Sequence, residues 1–402
     1  MSEAAASPPT RTDAVHAGRT PIRRAGLHAP PIDLSSTYPI SNMDAAGESI
    51  ASFARGEDGD EDEPVYARLH NPTVAHAETA IAQLEGADGC VAFGSGMAAM
   101  TATLLAARSA VVEAGRGENA HVIAVRPMYG TGDHLLSSGL LGLPVRWVDP
   151  DNIRAHVTRA TALIWIETPA NPTLDLVDIA HVAEQAGDVP VCVDSTFAPP
   201  VLQRPLDHGA TFSMHSATKF LGGHGDVVAG VVSSDAPEWV ERLRHVRVAT
   251  GALLHPLAAY LLHRSLPSLP GRVERAQATA IELADRCDGH SHVCHVHMPG
   301  RNRQNDVFAR QMSGAGTMIA LDVGSKDRAR LVVESVRLIT PAVSLGSVDT
   351  LIQHPASLTH GVVNERAKED HGISPGLLRL SVGLEDADDL WDDLSAALET
   401  RC

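Results

Sequence analysis

Three short apolar segments, each running into polar and turn-forming residues, limit the folds open to this chain more than any other feature. They are His121-Val122-Ile123-Ala124-Val125 before Arg126-Pro127-Met128-Tyr129-Gly130, Ala162-Leu163-Ile164-Trp165-Ile166 before Glu167-Thr168-Pro169-Ala170-Asn171-Pro172, and Val189-Pro190-Val191-Cys192-Val193 before Asp194-Ser195-Thr196. Apolar runs of this length read as strands buried on both faces, and helical patterns separate them. Alternating strands and helices predict an α/β architecture with a mostly parallel central sheet covered by helices, in which ligands collect at the carboxyl ends of the strands. Tyr129, Asn171 and Asp194 sit at those ends. Asp194 closes an almost wholly apolar strand and needs a partner there. A protonated pyridine nitrogen would suit it, a turn or helix N-cap being the plain alternative.

The stretch Ser213 to Gly230 supplies the chemistry. Between His208 and Gly225, Lys219 is the one residue with a full formal charge, set among glycines and small hydroxyl residues. An amine in such surroundings loses solvation, which lowers its pKa and makes it a better nucleophile toward carbonyls. Ser216 and Thr218 add hydroxyls of the kind that hold a phosphate. A Schiff-base lysine beside a phosphate seat is what pyridoxal phosphate requires, although a lysine at the surface end of a strand is also open. The apolar run Val227 to Val232 reads as a further strand.

Two other segments offer anion sites. Val91-Ala92-Phe93 runs into Gly94-Ser95-Gly96-Met97 and then the helix-forming Ala98 to Ala107. A glycine turn opening a helix presents free N–H groups and the positive end of the dipole, small residues placed there for packing alone being equally open. Upstream, Tyr66 and Arg68 stand two apart in what reads as extended chain, so they point the same way, and a phenol and a guanidinium are good phosphate ligands. A plain surface pair is equally open there. The pattern from Val74 to Leu84 is helical and ends at Gly86.

Composition narrows the partners. A net charge of -17 argues against nucleic acid and anionic membranes, both of which would repel the chain. The N-terminal Met-Ser-Glu-Ala-Ala-Ala-Ser-Pro-Pro does not read as a signal peptide, and no apolar run is long enough to span a bilayer. Five scattered cysteines, with no Cys-x-x-Cys spacing, fit a reducing cytoplasm. Prolines at 8, 9, 21, 30, 31 and 39 forbid long helices over residues 1–64, which read as an extended arm. The acidic run from Glu57 to Glu63 reads most simply as a solvated loop, a cation site being the alternative.

Beyond Gly251 the character changes. Leu257 to Leu266 and Val273 to Arg286 look helical, and Thr317 to Val323 and Leu378 to Val382 look like strands, so we expect a smaller α+β domain. The expected units are the arm 1–64, a cofactor-binding domain 65–255 and a C-terminal domain 256–402. Between His290 and His297 the alternation reads as a strand with mixed faces, and no metal site is expected. Arg379, between Leu378 and Leu380 in a short strand, is either half-exposed or placed for a carboxylate.

Together these segments resemble the Cys/Met-metabolism family of fold-type I pyridoxal-phosphate enzymes, which includes cystathionine γ-synthase, cystathionine γ-lyase and methionine γ-lyase. The resemblance runs from Thr10-Arg11-Thr12-Asp13-Ala14-Val15-His16-Ala17-Gly18 to Gly376-Leu377-Leu378-Arg379-Leu380-Ser381-Val382-Gly383. Its most specific segments are His215-Ser216-Ala217-Thr218-Lys219, Ser344-Leu345-Gly346 and His354-Pro355-Ala356. It implies that Lys219 carries the cofactor covalently and moves protons, that Asp194 pairs with the pyridine nitrogen, and that Tyr129 stacks on the ring. It further implies that Gly96, Met97, Ser216 and Thr218 hold the phosphate, while Tyr66 and Arg68 reach it from a neighbouring subunit of a homotetramer built as a dimer of dimers. Asn171 and Thr196 belong to the same cofactor site. Arg379 with Ser344 takes the substrate α-carboxylate, and Thr131 and Val343 lie at the substrate's far end.

Departures from the family pattern bear on the substrate. Ser195 replaces an asparagine. His134 stands where cystathionine enzymes commonly carry arginine, and Val343 where their lyases carry glutamate. Ala342 to Gly346 and Thr250-Gly251-Ala252 look closer to methionine γ-lyase, yet that enzyme's cysteine aligns with Thr131 and its Lys-Asp pair with Arg247 and Val248. The resemblance therefore implies γ-elimination on a sulfur-containing or otherwise γ-substituted L-amino acid, giving a 2-oxo acid and ammonia. The alternatives are a γ-replacement transferase, like cystathionine γ-synthase or an O-acylhomoserine sulfhydrylase, and a cystathionine γ-lyase.

Overall fold

The apolar runs pair into one seven-stranded sheet: β1 (Gly89–Phe93), β2 (His121–Ala124), β3 (Val145–Trp147), β4 (Thr161–Glu167), β5 (Val191–Asp194), β6 (Phe212–His215) and β7 (Gly230–Ser234). The structure is a computed structural model and describes residues 9–57, 64–301 and 304–401. The strand order is β1-β7-β6-β5-β4-β2-β3. From β6 through β3 every pairing is parallel, and β7 runs antiparallel to both its neighbours. β4 is buried along its whole length, as a central parallel strand with both faces covered must be. The expected strand from Val227 begins three residues later, because Ala229 is tied as a loop to Thr218: its N–H donates to the threonine hydroxyl (3.0 Å) and its carbonyl accepts from Thr218 N (3.1 Å).

The first six helices among the described residues are α1 (Arg11–His16), α2 (Arg19–Arg24), α3 (Met43–Arg55), α4 (Pro72–Glu85), α5 (Gly96–Glu113) and α6 (Gly130–Ser137). α4 has legible ends. Asn71 caps it by accepting from the N–H groups of Thr73 and Val74, Pro72 occupies the first turn, and Gly86 closes it in the left-handed conformation. α5 starts under Ser95, whose hydroxyl accepts from Ala98 N at 3.1 Å. Its alanine-rich body packs with Val91, Phe93, Leu163, Trp165 and Phe212 on one face of the sheet. On the other face Ala77, Ile81 and Leu84 of α4 join Phe220, Leu221 and Ala229.

The arm differs from its proline-based expectation. Residues 27–42 are largely extended, but α3 is a 13-residue helix in the proline-free interval between Pro39 and Pro64, capped by Asn42 and Gly56. Of the acidic run, Asp58 to Glu63 lie outside the described residues.

A second sheet comprises β8 (His295–His297), β9 (Met318–Asp322), β10 (Thr340–Pro341), β11 (Leu351–Gln353) and β12 (Leu377–Ser381) in the order β10-β11-β12-β9-β8. β8 is shorter than the alternation from His292 suggests, since residues 291–294 form turn and loop. Among the described residues no helix is long and apolar enough to cross a membrane, and no group of three or more His, Cys, Asp or Glu side chains is arranged to hold a metal.

Candidate active site

At the carboxyl ends of β4, β5 and β6 the chain leaves a cavity of about 470 Å³, closed on the far side by the segment 343–345, residues 358–359 and Arg379. The parallel strands explain the place: their ends leave loops free to turn inward. Gly96, Met97, Tyr129, Asn171, Asp194, Thr196, Ser216, Thr218 and Lys219 all line it, and Val343, Ser344 and Arg379 face them.

Lys219 is half-buried, and its Nζ donates to Ser344 Oγ at 2.6 Å. Burial, with the charge of Arg379 nearby, pulls its pKa down to about 8. The neutral amine needed for attack on a carbonyl is therefore abundant at mildly alkaline pH. Labelling of the cofactor-free protein with an amine-selective reagent should show Lys219 titrating near pH 8, whereas a midpoint near the ordinary lysine value would contradict the burial seen here. Ser344 takes φ 86°, a left-handed conformation that non-glycine residues rarely adopt. It turns the hydroxyl to Lys219 and the carbonyl to Arg379.

Arg379 lies in the central strand of the second sheet with 2% of its surface exposed. One terminal nitrogen donates to Asn171 Oδ1 (2.8 Å) and the other to Ser344 O (2.9 Å). Its guanidinium sits 5.5 Å from the centre of the Phe197 ring. Burial lowers its pKa to about 10, so it remains a cation at neutral pH.

Asp194 accepts from the N–H and hydroxyl of Thr196, at 3.0 and 2.5 Å, and the same hydroxyl accepts from Ser216 N at 2.8 Å. Burial raises the Asp194 pKa against these hydrogen bonds. A carboxylate left costly in this way is matched by a cationic ring nitrogen. The part of the wall formed by the start of α5 and the Ser216 turn suits a phosphate. A Cβ on Gly96 would come within 2.9 Å of Ser216 Cβ, so the start of α5 and the Ser216 turn approach as closely as glycine allows, and a helix start is a ready seat for an anion. Pyridoxal phosphate fits these residues: a primary amine, an acid for the ring nitrogen and an anion seat at a helix start. The Thr218 hydroxyl is also bonded to the Ala229 backbone, which fixes its direction.

Three expected residues stand apart from this cavity. Tyr66 and Arg68 do not line it in their own chain. Nor are they an extended pair: Tyr66 bridges to Thr37, and the chain then turns, with Leu69 N donating to Tyr66 O. They meet nevertheless, the guanidinium lying 5.6 Å from the phenol ring centre and donating to Val248 O. Thr131 is exposed on the first turn of α6 and is not part of the wall, and His134 is exposed on the next turn. Arg247 and Val248 are structural: Arg247 is buried in an ion pair with Glu78, and Val248 packs with Phe53 and Leu69.

Two contributors escaped the sequence reading. Glu167, the last residue of β4, is buried with its pKa pushed well above the carboxylate range by burial and by Asp194 beside it. A carboxylate ending an apolar strand was the same signal that singled out Asp194. His360 is fully buried, and its Nε2 lies 3.1 Å from both Met128 O and Asn171 O. Burial lowers its pKa to about 4, which makes it a neutral donor pinning the two loops. Nothing local in its sequence marks it.

Residues 11–399 match the family described as Cys/Met metabolism PLP-dependent enzyme. A protein named L-methionine gamma-lyase from Brevibacterium aurantiacum is 52% identical over 389 residues, spanning 96% of this chain and 93% of its own length. Another of that name from Streptomyces avermitilis is 51% identical over 389 residues, spanning 97% and 89%. Among solved structures, cystathionine gamma synthase from Xanthomonas oryzae pv. oryzae, in complex with aminoacrylate and cysteine, matches with a TM-score of 0.86 at 33% identity over 98% of each chain. Cystathionine gamma-lyase from Lactobacillus plantarum, complexed with L-serine, matches with a TM-score of 0.83 at 31% identity over 96% of this chain and 97% of that one. With its fold, its cavity and this likeness in agreement, the chain belongs to the Cys/Met metabolism family of pyridoxal-phosphate-dependent enzymes.

Proposed function

We propose that this enzyme catalyses γ-elimination on L-amino acids with a small apolar γ-substituent, methionine first among them, consuming one water and releasing a thiol, a 2-oxo acid and ammonia. The observation that carries this is the distribution of charge in the cavity. Its ionisable wall residues, Lys219, Arg379, Asp194 and Glu167, belong to one connected group at the cofactor and carboxylate end. The remaining wall is mainly apolar, with Met97, Met100, Met128, Phe197, Val343 and Leu358. A second, distal amino-acid head would bury its charges there without partners. The relatives named L-methionine gamma-lyase support the same substrate class.

Bound pyridoxal phosphate supplies an electron sink for carbanions at the substrate's α and β carbons. The chain does the rest. Arg379 holds the α-carboxylate in a charge-assisted pair and so turns the α-hydrogen toward Lys219. Lys219 Nζ takes that proton and a β-proton follows, while the Tyr129 hydroxyl or Lys219 protonates the departing sulfur.

Steady-state comparison of L-methionine, L-homocysteine, an O-acyl-homoserine and L-cystathionine, each with and without an added thiol, tests the proposal. The highest kcat/KM is expected for a short uncharged substituent, with 2-oxo acid formed whether or not thiol is present. A clear preference for cystathionine, or a thiol-dependent replacement product, would move the assignment to cystathionine cleavage or to a transferase.

We further infer a shared site in a tetramer, with units divided at 1–64, 65–255 and 256–402. Tyr66 and Arg68 are held together yet lie outside their own cavity, which suits a role at a neighbour's phosphate. Mixing inactive Arg68→Ala chains with inactive Lys219→Met chains should restore activity, since each hybrid pair keeps one complete site. Verified hybrids without activity would count against sharing. Cys90, Cys192, Cys287 and Cys294 are free thiols, which supports a reducing compartment such as the cytoplasm.

A further inference from the structure

Glu167 has its two carboxylate oxygens divided between two loops. Oε2 accepts from Tyr129 N at 2.8 Å, and Oε1 accepts from Asn171 N at 2.7 Å. Tyr129 stands at the start of α6 in the loop after β2, and Asn171 in the loop after β4. Their side chains serve different ends of the cavity: Tyr129 presents its phenol to the cavity, and Asn171 Oδ1 accepts from Arg379. The sheet does not need this carboxylate, because β4 is already paired by its backbone with β2 on one side and β5 on the other. Holding it beside Asp194, its partner in register, is costly. A group so expensive, with both oxygens used on the site loops, is there for geometry.

We infer that Glu167 is a positioning residue, setting Tyr129 and Asn171 in one register so that the phenol and the Arg379 clamp address the same substrate. This rests on the γ-elimination proposed for the site. His360 secures the same loops from the other side, at Met128 O and Asn171 O, so loop 127–130 and loop 168–172 are each held at N–H and at C=O. Each Glu167 oxygen keeps a lone pair for its N–H whether or not the group carries a proton, whereas the amide nitrogen of a glutamine only donates, so one of the two N–H groups would meet another donor.

Glu167→Gln provides the test, read first in the cofactor-free protein by amide hydrogen exchange. Segment 126–131 or segment 168–172 should exchange at least roughly tenfold faster, as expected for a lost buried hydrogen bond, with β5 and β6 unchanged. In the complete enzyme kcat/KM for methionine should fall about 10²-fold, with kcat and KM both affected. Glu167→Asp, one methylene shorter, should act in the same direction. Wild-type exchange in both loops, or loosening spread evenly through the sheet, overturns the positioning role. Should neither variant fold, the unmodified protein decides: the Tyr129 and Asn171 amides must exchange as slowly as those of β4, and exchange at loop rates overturns the assignment. If the unmodified enzyme fails to cleave methionine, the substrate proposal falls while the exchange result still judges Glu167.

Discussion

Lys219→Met will lower kcat by at least about 10³-fold while leaving the fold intact. The expectation rests on Lys219 being the one amine in the cavity wall, within 2.6 Å of Ser344 Oγ and placed opposite the Arg379 clamp. Methionine keeps the packing volume but can neither carry the cofactor nor move a proton. The effect on stability runs the other way. A lysine whose pKa is about 8 in the folded chain and near 10.5 when unfolded opposes folding below pH 8, and that cost is relieved as pH rises from about 8 to 10.5. The cofactor-free variant should therefore melt no lower than the cofactor-free wild type at pH 7, and its advantage should shrink as pH rises beyond 8. Calorimetry across that range checks the sign, and a variant that is least stable relative to wild type at neutral pH would contradict the burial.

The second large effect belongs to Arg379. Arg379→Ala should reduce kcat/KM by about 10²- to 10³-fold for every amino-acid substrate, mainly through KM, because a buried charged hydrogen-bonding partner is lost. Asn171 Oδ1 and Ser344 O lose their donors in the same change. Arg379→Lys should recover only part, since an ammonium cannot make the planar two-point contact. The diagnostic comparison is L-methionine against its decarboxylated amine. Wild type should favour the amino acid strongly, and the alanine variant should lose most of that preference. Equal loss on both compounds would mean that Arg379 holds the site together without binding the carboxylate.

Much of this arrangement was legible in the sequence for identifiable reasons. The apolar runs at Ile123, Ile164 and Val193 could only be covered parallel strands, and the polar residues after them had to sit at strand ends, where Tyr129, Asn171 and Asp194 are found. Lys219 stood out by the neutrality of its sequence neighbours, while its lowered pKa comes from burial and from the charge of Arg379, 160 residues away in the chain. What escaped was of another kind. α3 was obscured by counting prolines over the whole arm when the interval between Pro39 and Pro64 had none. His360 acts through contacts 232 and 189 residues distant in sequence, with Met128 O and Asn171 O, and no local pattern reports them. The Tyr66–Arg68 pair was expected from period-two geometry and is brought together by a turn and a cation–π contact. Thr131 was placed at the substrate by alignment alone, and in this fold it faces outward.

The central claim is that one lysine, hydrogen-bonded to Ser344 in the cavity wall it shares with Asp194, carries the cofactor. Reducing the complete enzyme with borohydride, digesting it and locating the cofactor-bearing peptide by mass spectrometry tests it most directly. A single labelled peptide containing Lys219 is expected, with no label in the Lys219→Met variant. Label on Lys326 or Lys368, or undiminished label in the variant, would contradict it.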